Sequence, residues 1–313
     1  MDRLDRLQKR IDSLGAEHLL VHQNAYSEVA SQLSCVDSYA VSVVTSDLRF
    51  TSGRLDDVPS RVDLVVYLCD SHEAQYFSYQ QLSKYLSSTP VVVIGPRKST
   101  KHLVKSLVVD SRFYSDDLLV AVLLPQALEF EVPTYSFSET IGGVSCVFVT
   151  QKGLFSYQQI DAGTRFLLEV VDVSSARRVL DFGCGYGAIS CFTAKKNPSC
   201  ELVGADSDLL AVRYAMKNLE ANGLSDRVSV QSSFLLRGVS GKFDMVLCNP
   251  PTHTPTDQVK ELFNSMRQVL VAGGAAYMVI NQAVSYEPLL RELFSSVRVL
   301  ATQGKYKIVC ATR

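Results

Sequence analysis

Three short segments carry the residues whose types and spacing can do chemistry. The first is Asp181-Phe-Gly-Cys-Gly-Tyr-Gly187, which follows the apolar run Arg178–Phe182 and opens a helical pattern from Ala188 to Lys196. Gly183, Gly185 and Gly187 lack Cβ atoms, so the backbone can turn sharply and approach a ligand. The second is Asp206, at the end of the next apolar run, Glu201–Ala205. A carboxylate there can accept both hydroxyls of a ribose. The third is Asn249-Pro250-Pro251, after the run Phe243–Cys248. In an open α/β sheet a ligand lies beyond the carboxyl ends of the strands, which places this tripeptide beside the ligand's reactive end. With no ligand, the same residues make a tight strand-to-helix turn and a rigid strand exit.

Gly183-x-Gly185-x-x-Ala188 also fits a dinucleotide fingerprint. Asp181 disfavours that reading, because it adds negative charge where a pyrophosphate would sit. A cationic sulfonium nucleoside has no phosphate and suits an acid at that position. The Asn249 side-chain oxygen and the Pro250 carbonyl can together accept both N–H groups of an exocyclic amine. Proline has no N–H, so its rigid backbone offers a carbonyl without a competing donor. An amine held this way is aimed for in-line displacement by orientation and electrostatics, and no catalytic base is required.

The elements around these residues alternate. Strands are expected at Arg178–Phe182, Glu201–Ala205, Val228–Val230, Phe243–Cys248 and Ala275–Ile280, with helices at Ala188–Lys196, Leu209–Asn222, Val259–Val271 and Pro288–Phe294. Two strands around Gly304, Val297–Ala301 and Tyr306–Ala311, close the chain; they are joined too tightly for a crossover, so one must run antiparallel. This is a doubly wound, mostly parallel α/β sheet of seven strands. The N-terminal half is also α/β, with helices at Leu4–Leu14 and Gln75–Leu86, strands at Tyr39–Thr45, Asp63–Leu68 and Val91–Ile94, and the strand-sized run Leu118–Leu124. Val62-Asp-Leu-Val-Val-Tyr-Leu-Cys-Asp-Ser-His72 aligns with Phe243-Asp-Met-Val-Leu-Cys-Asn-Pro-Pro-Thr-His253, which reads as an internal repeat whose first copy lacks the glycine cluster: no glycine lies between Tyr39 and Thr51.

The C-terminal motifs resemble the class I S-adenosylmethionine-dependent methyltransferases that carry an Asn-Pro-Pro signature. Gly153-Leu-Phe-Ser156, Asp161-x-Gly163-Thr164, Asn249-Pro-Pro-Thr-His253, Asn281-Gln-Ala283 with Tyr286, and Gln303-Gly-Lys-Tyr-Lys307 are similar to the tandem-domain ribosomal RNA guanine-N2 methyltransferases. The resemblance implies two tandem Rossmann-like methyltransferase domains. Residues 1–128 would be a degenerate copy that docks RNA, 129–150 a strand-rich linker, and 151–313 the catalytic domain. It implies transfer of a methyl group from S-adenosylmethionine to the N2 amine of a guanine in ribosomal RNA. The implied cofactor contacts are Phe155, Asp161, Gly163, Thr164, Asp181, Gly183, Gly185, Gly187, Asp206, Ser232 and Asn249. Asn249 and Pro250 would serve catalysis, and Pro251, Thr252, His253 and Tyr286 would meet the target base. Two departures stand out: Thr252 replaces an aromatic that stacks on the base, and Ser232 replaces an Asp or Asn that contacts the adenine amine. Methylation of an adenine N6 or a glutamine amide, and a catalytically silent module that binds S-adenosylmethionine and docks RNA, remain open alternatives.

Composition bounds the rest. The chain has 313 residues, 47% hydrophobic and 20% charged, enough for two ordinary cores. No apolar run approaches the ~18 residues of a membrane helix, and the acidic, polar start suggests no signal peptide. With 31 basic and 32 acidic side chains, bulk charge cannot hold nucleic acid, but a local patch can. Arg97, Lys98, Lys101, Lys105 and Arg112 form such a cluster around His102, with Lys98, Lys101 and Lys105 on one helical face; it reads as an RNA-docking stripe or a solvated face. Cys35, Cys69, Cys146, Cys184, Cys191, Cys200, Cys248 and Cys310 include no C-x-x-C pair and no histidines at zinc spacing. Reduced buried thiols, a cytoplasmic location, no metal, no membrane and a monomeric state are expected.

Overall fold

A computed structural model describes residues 18–23, 37–42, 64–68, 90–105, 107–115, 118–126, 133–233, 235–250 and 256–313. The helices expected at Leu4–Leu14 and Gln75–Leu86, and the residues Pro251, Thr252 and His253, lie outside them. The chain divides into two units, 1–133 and 134–313.

In the first unit, β1 (His18–Gln23), β2 (Asp37–Ser42), β3 (Leu64–Leu68) and β4 (Val91–Pro96) are parallel. Helix α1 (Arg97–Leu103) follows, then β5 (Val109–Ser115) and β6 (Leu118–Leu123), with β6 antiparallel to both β4 and β5. The sheet order is β2-β1-β3-β4-β6-β5. Val91, Val92, Val93, Ala121, Val122 and Leu123 are buried, as neighbouring strands of a covered sheet require.

The second unit begins with β7 (Thr134–Ile141), β8 (Val144–Gln151) and α2 (Ala162–Val170). It continues with β9 (Arg178–Phe182), α3 (Ala188–Lys196), β10 (Glu201–Asp206), α4 (Leu209–Ala221), β11 (Val228–Ser232) and β12 (Phe243–Cys248). The chain closes with α5 (Thr256–Val269), β13 (Leu270–Asn281), α6 (Glu287–Leu293), β14 (Ser296–Gln303) and β15 (Tyr306–Thr312). Seven strands form one sheet in the order β11-β10-β9-β12-β13-β15-β14. Only β15 runs against its neighbours, and Gly304, at φ 55°, turns β14 into it. β9 and β12 are buried almost throughout because helices cover both faces. On one face Val246, Phe263, Met266, Leu290 and Phe294 form the core.

Removing β11 from the second sheet leaves β10-β9-β12-β13-β15-β14, the connectivity of the first sheet strand for strand. The repeat noted in the sequence thus pairs β3 with β12 and β4 with β13, where the two segments align. The counterpart of the glycine-bearing β9 is β1, whose apolar run is only Leu19-Leu20-Val21 between two histidines, and not Tyr39–Thr45. No glycine follows β1 before β2, and β2 ends at Ser42 where β10 ends at Asp206.

The segment expected to link the domains, 129–150, is for most of its length the β7–β8 hairpin of the second unit. Alternating burial along β7 marks strands with one face in solvent, but not what they pack on. The partner is α4. Asn218 Oδ1 accepts the Val149 N–H at 2.7 Å and its Nδ2 donates to the Val149 carbonyl at 3.0 Å; Asn222 repeats the arrangement on Val147 at 3.1 and 2.7 Å. Two residues of strand rise about 6.8 Å and one i→i+4 step of helix about 6 Å, so two carboxamides on one helix face match the edge of β8. They complete its hydrogen bonding as a further strand would. Asn218 Nδ2 also donates to the Tyr186 carbonyl at 2.8 Å, tying the hairpin to the glycine loop. Below it Phe137, Phe148, Tyr186 and Phe192 pack ring against ring.

Candidate active site

The glycine loop leaves β9 and is fastened to the end of β10. Gly183 and Cys184 donate their N–H groups to the Ala205 carbonyl at 2.8 and 3.1 Å. Asp206 Oδ2 accepts the Gly185 N–H at 2.8 Å, and its Oδ1 accepts the Asp208 N–H at 2.9 Å. Asp206 therefore shapes the loop as well as presenting a carboxylate; each oxygen keeps a lone pair for a further donor. Gly183 and Gly185 have φ of 74° and 54°, and a Cβ on either would meet nothing within 4 Å. Their requirement is conformational, and their open side belongs to the pocket. Gly187 differs: a Cβ there would lie 3.2 Å from the Ala215 Cα, so this glycine lets α3 and α4 approach.

Asp181 does not line the pocket. It is fully buried beneath the loop, where Ser190 Oγ donates to Oδ2 at 2.6 Å and Oδ1 has no partner. Burial pushes its carboxyl up to about 7. Asp206 is raised by burial, and Asp208, N-cap of α4, is raised to about 7 by burial and by the neighbouring Asp206 charge. Ser232 pairs in register with Asp206 across β10 and β11, and its buried Oγ has no partner. Cys146, Cys184, Cys191, Cys200, Cys248 and Cys310 are buried free thiols, and no group of His, Cys, Asp or Glu among the described residues could hold a metal.

The pre-sheet segment supplies an element that the sequence reading lacked. Helix α2 starts at Asp161, whose Oδ2 accepts the N–H groups of Gly163 and Thr164 at 2.9 and 3.1 Å. The Asp N-cap followed by Phe166, Leu167 and Leu168 was the available signal. Asn249, at the exit of β12, donates its Nδ2 to Asp161 Oδ2 at 3.0 Å and to Thr164 Oγ1 at 2.9 Å. A carboxylate accepts and cannot donate, so the nitrogen end of the amide must face α2. The Asn249 Oδ1 is thereby turned the other way. Gly163 packs rather than lines: a Cβ there would sit 3.1 Å from the Tyr306 ring and from Val279.

Phe155, Asp161, Thr164, Gly183, Gly185 and Asn249 thus meet around one open pocket. Pro250 is buried beside Asn249. Tyr286, half-buried at the start of α6, packs its ring edge-on to Phe263 at 5.5 Å. Arg97, Lys98, Lys101 and Lys105 are exposed on and just after α1 of the first unit, and the Arg97 guanidinium lies over the exposed Tyr114 ring at 5.6 Å.

Residues 145–310 match the family model described as methyltransferase small domain. That stretch is more than half of the chain and contains the glycine loop, Asp206 and Asn249. The chain belongs to this family. Among members, it is 36% identical over 160 residues to the ribosomal RNA small subunit methyltransferase C of Haemophilus influenzae (strain PittGG), covering 50% of this chain and 48% of that protein. That match spans about half the relative's length. With the protein of the same name from Mannheimia succiniciproducens, identity is 30% over 264 residues, 79% of this chain and 78% of the relative. A T. thermophilus 16S rRNA N2 G1207 methyltransferase, solved in complex with AdoMet and guanosine, superposes with a TM-score of 0.77 at 24% identity, over 99% of this chain and 91% of that one. The fold is thus that of a class I methyltransferase, as the sequence resemblance implied.

The buried Asp181 carries a pH signature. Its folded carboxyl lies near 7 against an ordinary 3.8, so the protonated form is the better fit and stability is lost as pH rises through that window. Asp181→Asn removes this titration. Its unfolding free energy, measured by urea denaturation against the parent, should improve steadily between about pH 4 and 7 and level off above. A difference that is constant across the window contradicts the buried-carboxylate reading.

Proposed function

We propose that this chain transfers a methyl group from S-adenosylmethionine to the exocyclic N2 amine of a guanine in ribosomal RNA. The observation that carries the reading is the Asn249 amide, whose orientation Asp161 and Thr164 decide, in the pocket shared with the glycine loop.

The residues fit the cofactor. Gly183 and Gly185 have open faces, Asp206 can take ribose hydroxyls, and Ser232 Oγ, in register with Asp206, is a buried polar atom with no partner. Asp181, Asp206 and Asp208 make the loop's surroundings acidic, which suits a cation and opposes a pyrophosphate. S-adenosylmethionine, when bound, supplies an electrophilic methyl on a sulfonium. The chain orients the acceptor: Asn249 Oδ1 and the Pro250 carbonyl accept the two N–H groups of the amine and leave its nitrogen facing the methyl. Methylation depends on this positioning in a preorganised site, and the released proton can leave to water. Amine recognition follows from these two acceptors; the choice of guanine and of ribosomal RNA rests on what the relatives are named for. A base in a duplex cannot present this amine, so the target is unpaired or extruded.

The first unit has the strand order of the second without β11, and its sequence has no glycine between β1 and β2 and no acid at the end of β2. We read it as a degenerate copy that binds RNA through Arg97, Lys98, Lys101 and Lys105, with Tyr114 among them.

Asn249→Ala should lower turnover on the order of 10²–10³-fold while binding of S-adenosylmethionine by calorimetry stays unchanged. Nucleoside analysis of the methylated RNA should show N2-methylguanosine. A methylated adenine or a methylated protein instead, or full activity in Asn249→Ala, overturns the reading. For the first unit, neutralising Lys98, Lys101 and Lys105 together should raise the Michaelis constant for RNA and flatten its salt dependence. Unaltered RNA affinity would return these lysines to a solvated face.

A further inference from the structure

We infer that Phe155 is the aromatic platform on which the target base stacks, an inference that rests on the guanine-methyltransferase reading above. Among the described residues that line the pocket, two are aromatic, Phe155 and Tyr186. Tyr186 is 5% exposed, its ring is packed on Phe137 and Phe148, and its hydroxyl donates to the Gln159 carbonyl at 3.2 Å. It has no free face. Phe155 is 69% exposed, the largest exposure of any large apolar side chain among the described residues. Tyr286 does not line this pocket, and Asn249-Pro-Pro-Thr252 contains no aromatic ring.

Phe155 is held in the open by a firmly pinned loop. Leu154 and Ile160 on either side are buried. Thr150 Oγ1 donates to the Tyr157 carbonyl, and Ser156 Oγ donates to the Gln159 carbonyl at 2.7 Å. Tyr157 packs on Tyr135 at 5.0 Å between ring centroids. Ser156 sits at φ 51°, a left-handed conformation that non-glycine residues rarely adopt. A loop folded this way holds a benzyl group in water, a cost that base stacking offsets. Rigid presentation also lowers the entropy lost on binding.

The ring's place in the pocket decides which base it meets. The ribose and adenine contacts expected of the cofactor lie at Asp206 and Ser232, on β10 and β11. Phe155 shares the pocket with Asn249, Asp161 and Thr164, at β12 and α2, and with Gly183 and Gly185 of the glycine loop, while neither Asp206 nor Ser232 lines it. Two strand spacings, roughly 10 Å, separate β10 from β12. The ring therefore serves the amine end of the site, where the acceptor base must lie flat for its exocyclic nitrogen to reach Asn249.

The experiment compares Phe155→Ala, Phe155→Leu and Phe155→Trp in the full chain. Wild type is first shown by nucleoside analysis to make N2-methylguanosine; if it does not, the underlying reading fails, whatever Phe155 does. Given that product, Phe155→Ala and Phe155→Leu should each lower kcat/KM for RNA about 5- to 100-fold, the range expected for one lost base–aromatic stack. Phe155→Trp should retain most of it. Calorimetric binding of S-adenosylmethionine and the urea midpoint should not change in any variant. A loss of cofactor affinity in Phe155→Ala would reassign the ring to the cofactor, and undiminished kcat/KM in Phe155→Ala, or Leu performing as well as Trp, would overturn stacking.

Discussion

A primary carboxamide has an accepting end and a donating end of nearly the same shape, and a site that needs an acceptor must settle which end faces the substrate. Asp161 settles it here. Its Oδ2 caps α2 through Gly163 and Thr164 and takes the Asn249 Nδ2 at 3.0 Å, so one oxygen ties the helix, the β12 exit and the amide together. Thr164 supplies the second acceptor from the same helical turn. Gly163 has no Cβ because α2 must lie against Val279 and Tyr306 for this to happen. Asp161, expected among the cofactor contacts, lines the pocket and also holds the Asn249 amide.

The other half of the site holds three carboxyls under and beside the glycine loop. Asp181 is fully buried, Asp206 is half-buried at the end of β10, Asp208 stands beside it, and burial raises all three carboxyls. A cation bound above the loop would favour their ionised forms, and an anion would meet them as repulsion. The same loop is steadied from outside through the Asn218 bond to the Tyr186 carbonyl, so the β7–β8 hairpin, the aromatic cluster and the pocket floor form one connected support.

Much of this was legible in the sequence because it lies in short contiguous patterns. The glycine loop, Asp206 and Asn249-Pro250 each follow an apolar strand, and parallel topology carries such strand ends to one edge of the sheet. The antiparallel β15 followed from the short turn at Gly304. What was not legible depends on partners distant in the chain. Asn218 and Asn222 look like ordinary polar helix residues until Val149 and Val147, about 70 positions earlier, are set against them. A missing Cβ reads alike for a ligand and for packing, so Gly163 and Gly187 could not be separated from Gly183 and Gly185. Tyr286 could be recognised as an available ring, but not its edge-on contact with Phe263.

The central claim is that Asp161 acts on methyl transfer by orienting Asn249. A double-mutant cycle on single-turnover rates, with wild type, Asp161→Ala, Asn249→Ala and the double variant all saturated with cofactor, tests it most directly. The account predicts that Asp161→Ala is slow and that the double variant is no slower than Asn249→Ala alone, because the carboxylate has nothing left to orient. Rate losses that multiply in the double variant, or a wild-type rate in Asp161→Ala, would contradict it.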